Sequence, residues 1–287
     1  MTTTPPAHSD AADPSATSHW STAIIETAPG TIRLRGYPID EVINGLSYAA
    51  TVWLMVRGEI PRPWQERLLD AALVAAVDHG PQAPSIAAAR MAATCGVGLS
   101  QAIATGVNML GDVHGGAGEA CMRMFASLLA QHPDPRAHAP EVVAAFARYR
   151  SRVGYVPGFG HRMHAHDPRR DPLMDLVQRA EEAGAVSGDY RRTAEIIERE
   201  FGRNVGKPVP MNIDGATAVI YSELGFAPEL GKGLFALSRS VGLLAHAYEQ
   251  SQEGVRIKGP LPPGIGARYT GPSRRSMRVS DRTRGQA

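Results

Sequence analysis

Three short fragments of the sequence each place one ionisable side chain beside glycines. The side chains are those of His114, His161 and Asp214. Glycine neighbours let a ligand approach the backbone closely. A histidine changes charge near neutral pH without help, and burial can tune an aspartate into a base. Two histidines and one aspartate in such surroundings predict proton transfer on a carbonyl compound.

The fragment around His161 also gathers positive charge. It runs from Val156 through two glycines to His161 and Arg162, and Arg169 follows shortly afterwards. An arginine offers a planar fork of donors that matches a carboxylate. The loop therefore predicts a site for an anionic ligand.

Two of these motifs also have a purely structural interpretation. His114 could cap the end of a helix, and Asp214, which follows Asn212 and precedes a predicted apolar helix, could be an N-cap carboxylate. Three such fragments in one chain are difficult to assign to capping alone. The combination therefore favours a functional site.

A metal site is another interpretation of the loop at His161. His164, His166 and Asp167 offer further ligand atoms, but their spacing matches neither helical histidine pairs nor the cysteine clusters that hold zinc. The neighbouring arginines would also repel a cation. We therefore expect that the protein binds no metal.

The composition favours a mostly helical protein. Of the 287 residues, 43% are apolar but only 6% are aromatic, and strands draw on aromatic and β-branched residues more than helices do. The clearest helix has Leu237, Val241, Leu244 and Tyr248 along one stripe, with Arg239 off it. Apolar spacing predicts a strand at 31–35 and helices at 47–57, 64–78, 85–95, 100–110, 119–130, 141–152, twice within 172–206, and at 231–250.

The charge distribution argues against nucleic acid as a partner. The formal net charge is +2, but the last fifteen residues carry five arginines against one aspartate, so the rest of the chain is close to −2. That part lacks the excess of positive charge that nucleic acid requires. The arginine-rich end is typical of a solvated tail, and contact with a phosphate is its alternative role.

Cysteine usage and apolar runs fit a cytoplasmic protein without a membrane anchor. Cys95 and Cys121 lie in apolar stretches that predict buried helix faces, so neither disulfides nor a zinc site is indicated. The longest apolar run, 71–77, is far too short to cross a membrane, and the N-terminus lacks a secretory pattern. Residues 1–19 are predicted to be a disordered leader, because they contain little apolar material.

The ordered motifs resemble those of the citrate synthase superfamily, most closely its short citryl-CoA lyase members and the C-terminal module of ATP-citrate lyase. The resemblance extends from about Ile32 to Pro272. The motifs that carry it are Leu34-Arg-Gly-Tyr-Pro-Ile39, Gly58-Glu-Ile-Pro61, Asp78-His79-Gly80, the three fragments above, Ser238-Arg239 and Tyr269-Thr-Gly-Pro272.

The resemblance implies an all-α fold with a large and a small helical domain, and a homodimer with the site in a cleft. The large domain would comprise 20–160 and 231–272, the small domain 161–230, and a flexible tail 273–287.

The resemblance also implies roles for individual residues. Asp214 would exchange a proton with the methyl carbon of an acetyl thioester, His114 would stabilise the enolate, and His161 would face the carbonyl or tertiary hydroxyl of the oxaloacetate half. The implied contacts of the dicarboxylate are His79, Arg169, Arg239 and Asn212, and further candidates for contact with substrate or CoA are Arg162, Arg256 and Lys258.

Two departures from the family pattern are visible. On the order of a hundred residues of full-length synthases are missing between Pro61 and His79, which shortens the N-terminal half of the large domain. The arginine of the usual C-terminal Arg-Pro pair is replaced by Gly259, so that Arg256 or Lys258 would have to substitute for it.

The resemblance thus predicts an enzyme that cleaves citryl-CoA into acetyl-CoA and oxaloacetate, with the CoA thioester as substrate and no metal or redox cofactor. A synthase that condenses an acyl-CoA with oxaloacetate or another 2-oxo acid, giving citrate or a 2-methylcitrate-like product, is the runner-up. A third alternative is a non-catalytic protein that binds CoA or an acid.

Overall fold

The computed structural model describes residues 20–160, 165–206, 209–262 and 264–275. Within these ranges the chain forms eleven α-helices and one three-stranded sheet. The predicted leader, His161, Arg162 and His164 lie outside the described residues, as does most of the predicted tail, from 276 onward. The predicted domain boundaries stay a prediction.

A small antiparallel sheet begins the described chain. Its strands are β1 (Ile25–Ala28), β2 (Thr31–Leu34) and β3 (Tyr37–Pro38). The predicted strand is confirmed as β2, whereas no pattern predicted β1 or β3. The Arg35 side chain donates from Nη2 to the carbonyl oxygen of Met55 at 2.6 Å and ties the sheet to the helices.

Helices make up most of the remaining chain. They are α1 (Ile39–Gly45), α2 (Tyr48–Arg57), α3 (Pro63–Ala76), α4 (Pro84–Thr94), α5 (Leu99–Asn108), α6 (Ala117–Gln131), α7 (Ala139–Val153), α8 (Arg170–Glu182), α9 (Asp189–Val205), α10 (Ile213–Glu223) and α11 (Pro228–Gln252). The predicted helices are confirmed with small shifts at their ends, and the short α1 is the one helix among the described residues that no prediction covers.

Local signals set many of these ends. Ser47 caps α2, because its hydroxyl accepts a hydrogen bond from the backbone N–H of Ala50 at 3.1 Å. Gly58 ends the same helix with a φ of 85°, a left-handed conformation that glycine adopts without strain. These are the cues that make helix boundaries readable from sequence.

Helix α10 is the central element of the core. All of its residues except Asp214 and Glu223 are buried, and it packs against α3, α6, α8 and α9. An element enclosed in this way has little freedom to move. The N-terminus of α10 therefore holds Asp214 in a fixed position.

The apolar stripe predicted for the longest helix mostly faces outward. Val241, Leu244 and Tyr248 are 57%, 44% and 56% exposed, while Leu237 is partly buried. The buried face of α11 carries mainly small and polar residues, among them Ser238, Arg239 and Gly242. Hydrophobicity is a poor guide to this face, because α11 packs closely on backbone there.

The two cysteines differ in their surroundings. Cys121 is buried, as predicted, but Cys95 is exposed, so its predicted burial is wrong. Cys95 lies at the C-terminal end of α4, where the chain leaves the helix at Gly96. Across the described ranges, no helix combines the length and the apolar character needed to cross a membrane.

Candidate functional site

Two of the three sequence fragments are joined directly by hydrogen bonds. The backbone N–H of Gly160 donates to the carbonyl oxygen of Pro210 at 2.7 Å, and that of Asn212 donates to the carbonyl oxygen of Gly158 at 3.0 Å. The Asn212 side-chain amide donates to the carbonyl oxygen of Gly160 at 2.8 Å. The loop that leads into His161 is therefore seated on the start of α10.

The contact between this loop and the start of α10 requires a glycine on each side. Gly158 has a φ of 81°, and a Cβ atom added to it would lie 2.7 Å from Cα of Gly215 and 2.7 Å from Sγ of Cys121. A Cβ atom on Gly215 would in turn collide with the carbonyl oxygen of Gly158. The two backbones approach each other more closely than any side chain allows.

Asn212, and not Asp214, is the N-cap of α10. The Asn212 side-chain oxygen accepts hydrogen bonds from the backbone N–H groups of Asp214 at 3.0 Å and Gly215 at 3.2 Å. The structural interpretation of Asp214 as the N-cap is therefore wrong. Asn212 uses both ends of its amide to hold the site together, and its role in binding substrate stays a prediction.

The Asp214 carboxyl is half-buried, and burial raises its pKa above the ordinary value. The guanidinium groups of Arg239 and Arg169 oppose this rise, and the carboxylate of Asp167 adds to it. Two guanidinium cations and one carboxylate thus lie near the Asp214 carboxyl. This carboxyl can hold or release a proton closer to neutral pH than an exposed aspartate can.

Arg239 links the first and third fragments. It is only 3% exposed, its Nε donates to the carbonyl oxygen of Ala76 at 3.2 Å, and its guanidinium lies 4.7 Å from the ring centre of Phe235. Its charge acts on both His114 and Asp214. The structure therefore gathers these two predicted residues around one buried cation.

The hydrogen bonds of His114 define its tautomer. Its Nε2 lies 3.2 Å from the backbone nitrogen of Ser85 and 2.9 Å from the Ser85 hydroxyl. Because a backbone N–H only donates, Nε2 must accept, which places the proton of the neutral ring on Nδ1. Burial lowers the His114 pKa, and the Arg239 charge lowers it further. His114 thus presents a neutral N–H donor.

The capping interpretation of His114 is correct in part. Ser85 lies in the first turn of α4, where a backbone N–H has no partner within the helix. The His114 ring therefore does cap a helix, although one that is distant in sequence. The same contact fixes the ring and leaves Nδ1–H to donate elsewhere.

Arg169 is held by a buried carboxylate. Its Nε and Nη2 donate to the two oxygens of Asp167, each at 2.9 Å, and Asp167 is fully buried. Asp167 also accepts from the backbone N–H of Ile213 at 3.1 Å, which ties Arg169 to the start of α10. Sequence reasoning treated Asp167 as a metal-ligand alternative and missed this orienting role, although the Asp-Pro-Arg spacing was visible.

His79 lies in an exposed turn after α3. The preceding residue, Asp78, accepts from the backbone N–H of Gly80 at 3.1 Å, and its charge acts on Arg239. The turn therefore borders the same arginine as His114 and Asp214. Asp78 and Ser85 are site residues to which the sequence assigned no role, although Asp78 belongs to the Asp78-His79-Gly80 motif.

Arg256 is exposed, and Lys258 is held away from this cluster within its own chain. The backbone N–H of Lys258 donates to the Thr94 hydroxyl at 3.0 Å, and its Nζ lies 3.3 Å from the Gln250 side chain. Thr94 follows Ser85 by nine residues along α4, a separation of roughly 13 Å. Arg162 lies outside the described residues.

No group of three or more His, Cys, Asp or Glu side chains within the described ranges is arranged to hold a metal ion. His161 and His164 lie outside those ranges. The expectation that the protein binds no metal therefore stays a prediction.

Comparison with known proteins identifies the family. The family model for the citrate synthase C-terminal domain matches residues 31–260. Citrate synthase from Haloferax volcanii is 30% identical over 241 residues, which cover 83% of this chain and 59% of that protein. The chain belongs to the citrate synthase family, and it spans little more than half the length of this relative.

Solved structures show the same relationship. A citryl-CoA lyase from Hydrogenobacter thermophilus has a TM-score of 0.80 at 34% identity, covering 90% of this chain and 97% of that one. Citrate synthase from Pyrobaculum aerophilum has a TM-score of 0.63 at 28% identity, covering 81% and 55%. An ATP citrate lyase from Methanothrix soehngenii, 19% identical with a TM-score of 0.73 over 89% and 42%, shares the fold. The predicted helical fold, a shortened citrate synthase architecture, is confirmed.

Proposed function

We propose that this protein cleaves citryl-CoA into acetyl-CoA and oxaloacetate. One observation carries the proposal: Asp214, whose pKa burial raises, and the neutral His114 lie around the buried guanidinium of Arg239. A raised pKa keeps a carboxyl protonated to higher pH, which suits a donor to a carbanion. The likeness to a citryl-CoA lyase over nearly all of that chain supports the cleavage direction.

The proposed reaction moves two protons. His161 accepts the proton of the tertiary hydroxyl while the carbon–carbon bond breaks, and oxaloacetate leaves. The electron pair of that bond forms the enolate of acetyl-CoA. Nδ1–H of His114 donates to the enolate oxygen, and Asp214 delivers its proton to the terminal carbon.

The expected contributions of these groups are large enough to matter. A fixed donor aimed at a developing oxyanion is worth roughly 10²- to 10³-fold in rate. Each positioned proton-transfer group adds on the order of 10²- to 10⁴-fold. The contact of His114 with Ser85 supports this role, because it holds the donor ring before substrate arrives.

The oxaloacetate half is proposed to bind to His79, Arg169 and Arg239. Arg239 is buried, so a carboxylate that pairs with it does so away from most of the competing water. The pair with Asp167 orients Arg169 but engages only its Nε and Nη2, which leaves Nη1 for a ligand.

The CoA thioester is the proposed second half of the substrate, and no further cofactor is required. A cleft of about 670 Å³ lies beside the segment that leads into α10 and is lined in part by Arg170, Arg199 and Arg203. Arg199 and Arg203 are 55% and 67% exposed. This cleft is the proposed contact of the CoA phosphates, and Arg162 is a further candidate.

A homodimer is the proposed assembly. Val241, Leu244 and Tyr248 expose apolar surface along one face of α11, and a second copy would remove that surface from water. Lys258 is held at Thr94 and Gln250, away from the cluster of its own chain. Lys258 and its neighbour Arg256 are proposed to act in the site of the partner subunit.

A synthase is the second candidate function. The 30% identity with the citrate synthase of Haloferax volcanii favours it. The same three residues would serve, with Asp214 as the base that forms the enolate and His161 as the group that faces the oxo-acid carbonyl. The additional requirement is a water molecule placed to hydrolyse the thioester.

Two assays separate these candidates. Purified protein is mixed with citryl-CoA and, separately, with acetyl-CoA and oxaloacetate, and free thiol and oxaloacetate are followed in each. Oxaloacetate from the first mixture without free CoA is the result expected of a lyase. Free CoA from the second mixture would show a synthase, and no change in either mixture would contradict both.

A further inference from the structure

Three residues of α11, spaced one turn apart, contact the C-terminal end of α3 and the residues that follow it. The Ser238 hydroxyl donates to the carbonyl oxygen of Leu73 at 2.5 Å. One turn later, Gly242 lies so close to the carbonyl oxygen of Val77 that a Cβ atom would collide with it. The third member, His246, follows one further turn along, and its Nε2 lies 3.1 Å from Oδ1 of Asp78.

The partners of His246 assign a direction to its hydrogen bonds. Its Nδ1 lies 3.1 Å from Nη1 of Arg90, and a guanidinium only donates, so Nδ1 must accept. Nε2 therefore carries the proton and donates to the Asp78 carboxylate. His246 thus bridges a cation on α4 and an anion at the end of α3.

Arg90 is itself held in place, which makes the bridge specific. Its Nε donates to the Gln250 side-chain oxygen at 3.0 Å, and its Nη2 donates to Glu253 at 2.9 Å. Its Nη1 also pairs with Glu249, which lies 3.9 Å from Nδ1 of His246. The charged groups around His246 are thus Asp78, which follows α3, Arg90 on α4 and Glu249 on α11 itself.

Asp78 carries the effect of His246 into the site. Its second oxygen accepts from the backbone N–H of Gly80, which sets the turn that presents His79. Burial alone would raise the Asp78 pKa, but the hydrogen bonds from Gly80 and His246 outweigh it and keep the pKa low. The resulting carboxylate stands near the Arg239 guanidinium.

We propose that His246 is a positioning residue for the dicarboxylate half of the site. It fixes Asp78, through which it places His79 and supports Arg239, and it has no part in holding the CoA half. The inference rests on the proposed function, because it assigns the oxaloacetate half to His79 and Arg239.

Two substitutions of His246 separate its two hydrogen bonds. In His246→Gln the amide nitrogen can take the place of Nε2–H and still donate to Asp78. In His246→Asn the shorter amide can only replace the acceptor for Arg90. The control is Glu253→Gln, which removes an ion pair of Arg90 without touching His246.

The readout is calorimetric binding of oxaloacetate and, separately, of CoA. His246→Asn should raise the Kd for oxaloacetate on the order of 10-fold, the scale of a lost hydrogen bond to a charged group. His246→Gln and Glu253→Gln should stay within about threefold of wild type, and the Kd for CoA should not change in any variant. Equal effects of the Asn and Gln variants, no effect of either, or equal weakening of both ligands would overturn the inference.

Asp78→Asn supplies a second test that does not depend on how well the His246 variants fold. It should weaken oxaloacetate binding alone, and combining it with His246→Asn should add little, because both act through one contact. Additive losses would overturn the inference. Wild-type protein that binds oxaloacetate but turns over neither substrate mixture would contradict the proposed function alone, whereas failure to bind oxaloacetate would contradict both.

Discussion

At the scale of single residues, the site combines a half-buried acid, Asp214, with a half-buried hydrogen-bond donor, His114. Burial raises the pKa of Asp214 and lowers that of His114, so both shifts favour the neutral form of the group. A neutral carboxyl can give its proton to a carbanion. A neutral imidazole can donate a hydrogen bond without adding charge to the site. Arg239 is the fixed cation between them.

The first prediction concerns Asp214→Asn. Because the folded-state pKa of Asp214 lies above the unfolded value of 3.8, ionisation of the carboxyl costs stability as pH rises through that window. The variant should have a higher free energy of unfolding than wild type at pH 7, by about 1 kcal/mol, and lose this advantage at acidic pH. Calorimetric unfolding at pH 7 and near pH 3.8 checks this, and a less stable variant at pH 7 would contradict it.

The second prediction concerns Ser85→Ala. The substitution removes one of two hydrogen bonds to Nε2 of His114 and leaves the backbone N–H. Cleavage of citryl-CoA should slow by about 3- to 10-fold, the scale of one neutral hydrogen bond. The exposed Ser100→Ala serves as the control. A Ser85→Ala rate equal to that of the control would mean that the hydroxyl does not position His114.

At the scale of elements, the candidate site is formed where two segments that are distant in sequence come into contact. The 156–160 loop and the start of α10 are separated by about fifty residues, yet their backbones touch at Gly158 and Gly215. Capping by Asn212 and the carboxylate of Asp167 reinforce this junction. The junction therefore fixes the 156–160 loop on the start of α10.

The third prediction concerns Gly158→Ala, with Gly154→Ala as a matched control. Both glycines have a left-handed φ, 81° and 82°, but only at Gly158 would the new Cβ atom meet neighbouring atoms. Gly154→Ala should cost about 1 kcal/mol of unfolding free energy through backbone strain alone. Gly158→Ala should cost about 2 to 4 kcal/mol and reduce turnover. Equal losses in chemical denaturation would show that the close approach is unimportant.

The sequence alone predicted the positions of helices better than it predicted the contacts between them. Helices α2 to α11 are readable because apolar spacing and caps such as Ser47 and Gly58 are local signals. The same reasoning found His114 and Asp214 as chemical groups. It missed Ser85 and Asp78, because their roles arise from contacts with side chains far along the chain.

At the scale of the whole molecule, α11 carries both the site and the proposed interface. Its inner face bears Arg239 and packs against α3, and the residues of this face are mainly small or polar. The apolar stripe of the helix faces outward instead. A hydrophobic stripe normally indicates the buried face of a helix. The orientation of this stripe could not be predicted from sequence. The same apolar pattern would fit a helix face buried in the core or one covered by a second copy of the chain.

The fourth prediction tests that interface. Leu244→Glu places a charge in the exposed stripe of α11, where Leu244 is 44% exposed, and should convert a dimer into a monomer. The control is Ile43→Glu, an equally apolar and more exposed position on α1, 72% exposed. Light scattering after gel filtration gives the masses. A monomeric wild type, or a dimeric Leu244→Glu, would contradict the proposed interface.

The central claim is that Asp214 protonates an acetyl-CoA enolate released from citryl-CoA, and cleavage in D₂O tests it most directly. Mass spectrometry of the products should show acetyl-CoA with one deuterium in its methyl group, together with oxaloacetate and no free CoA. Asp214→Asn should release almost none of this labelled product while remaining folded. Citrate and free CoA from the wild type, or equal labelling by the variant, would contradict the claim.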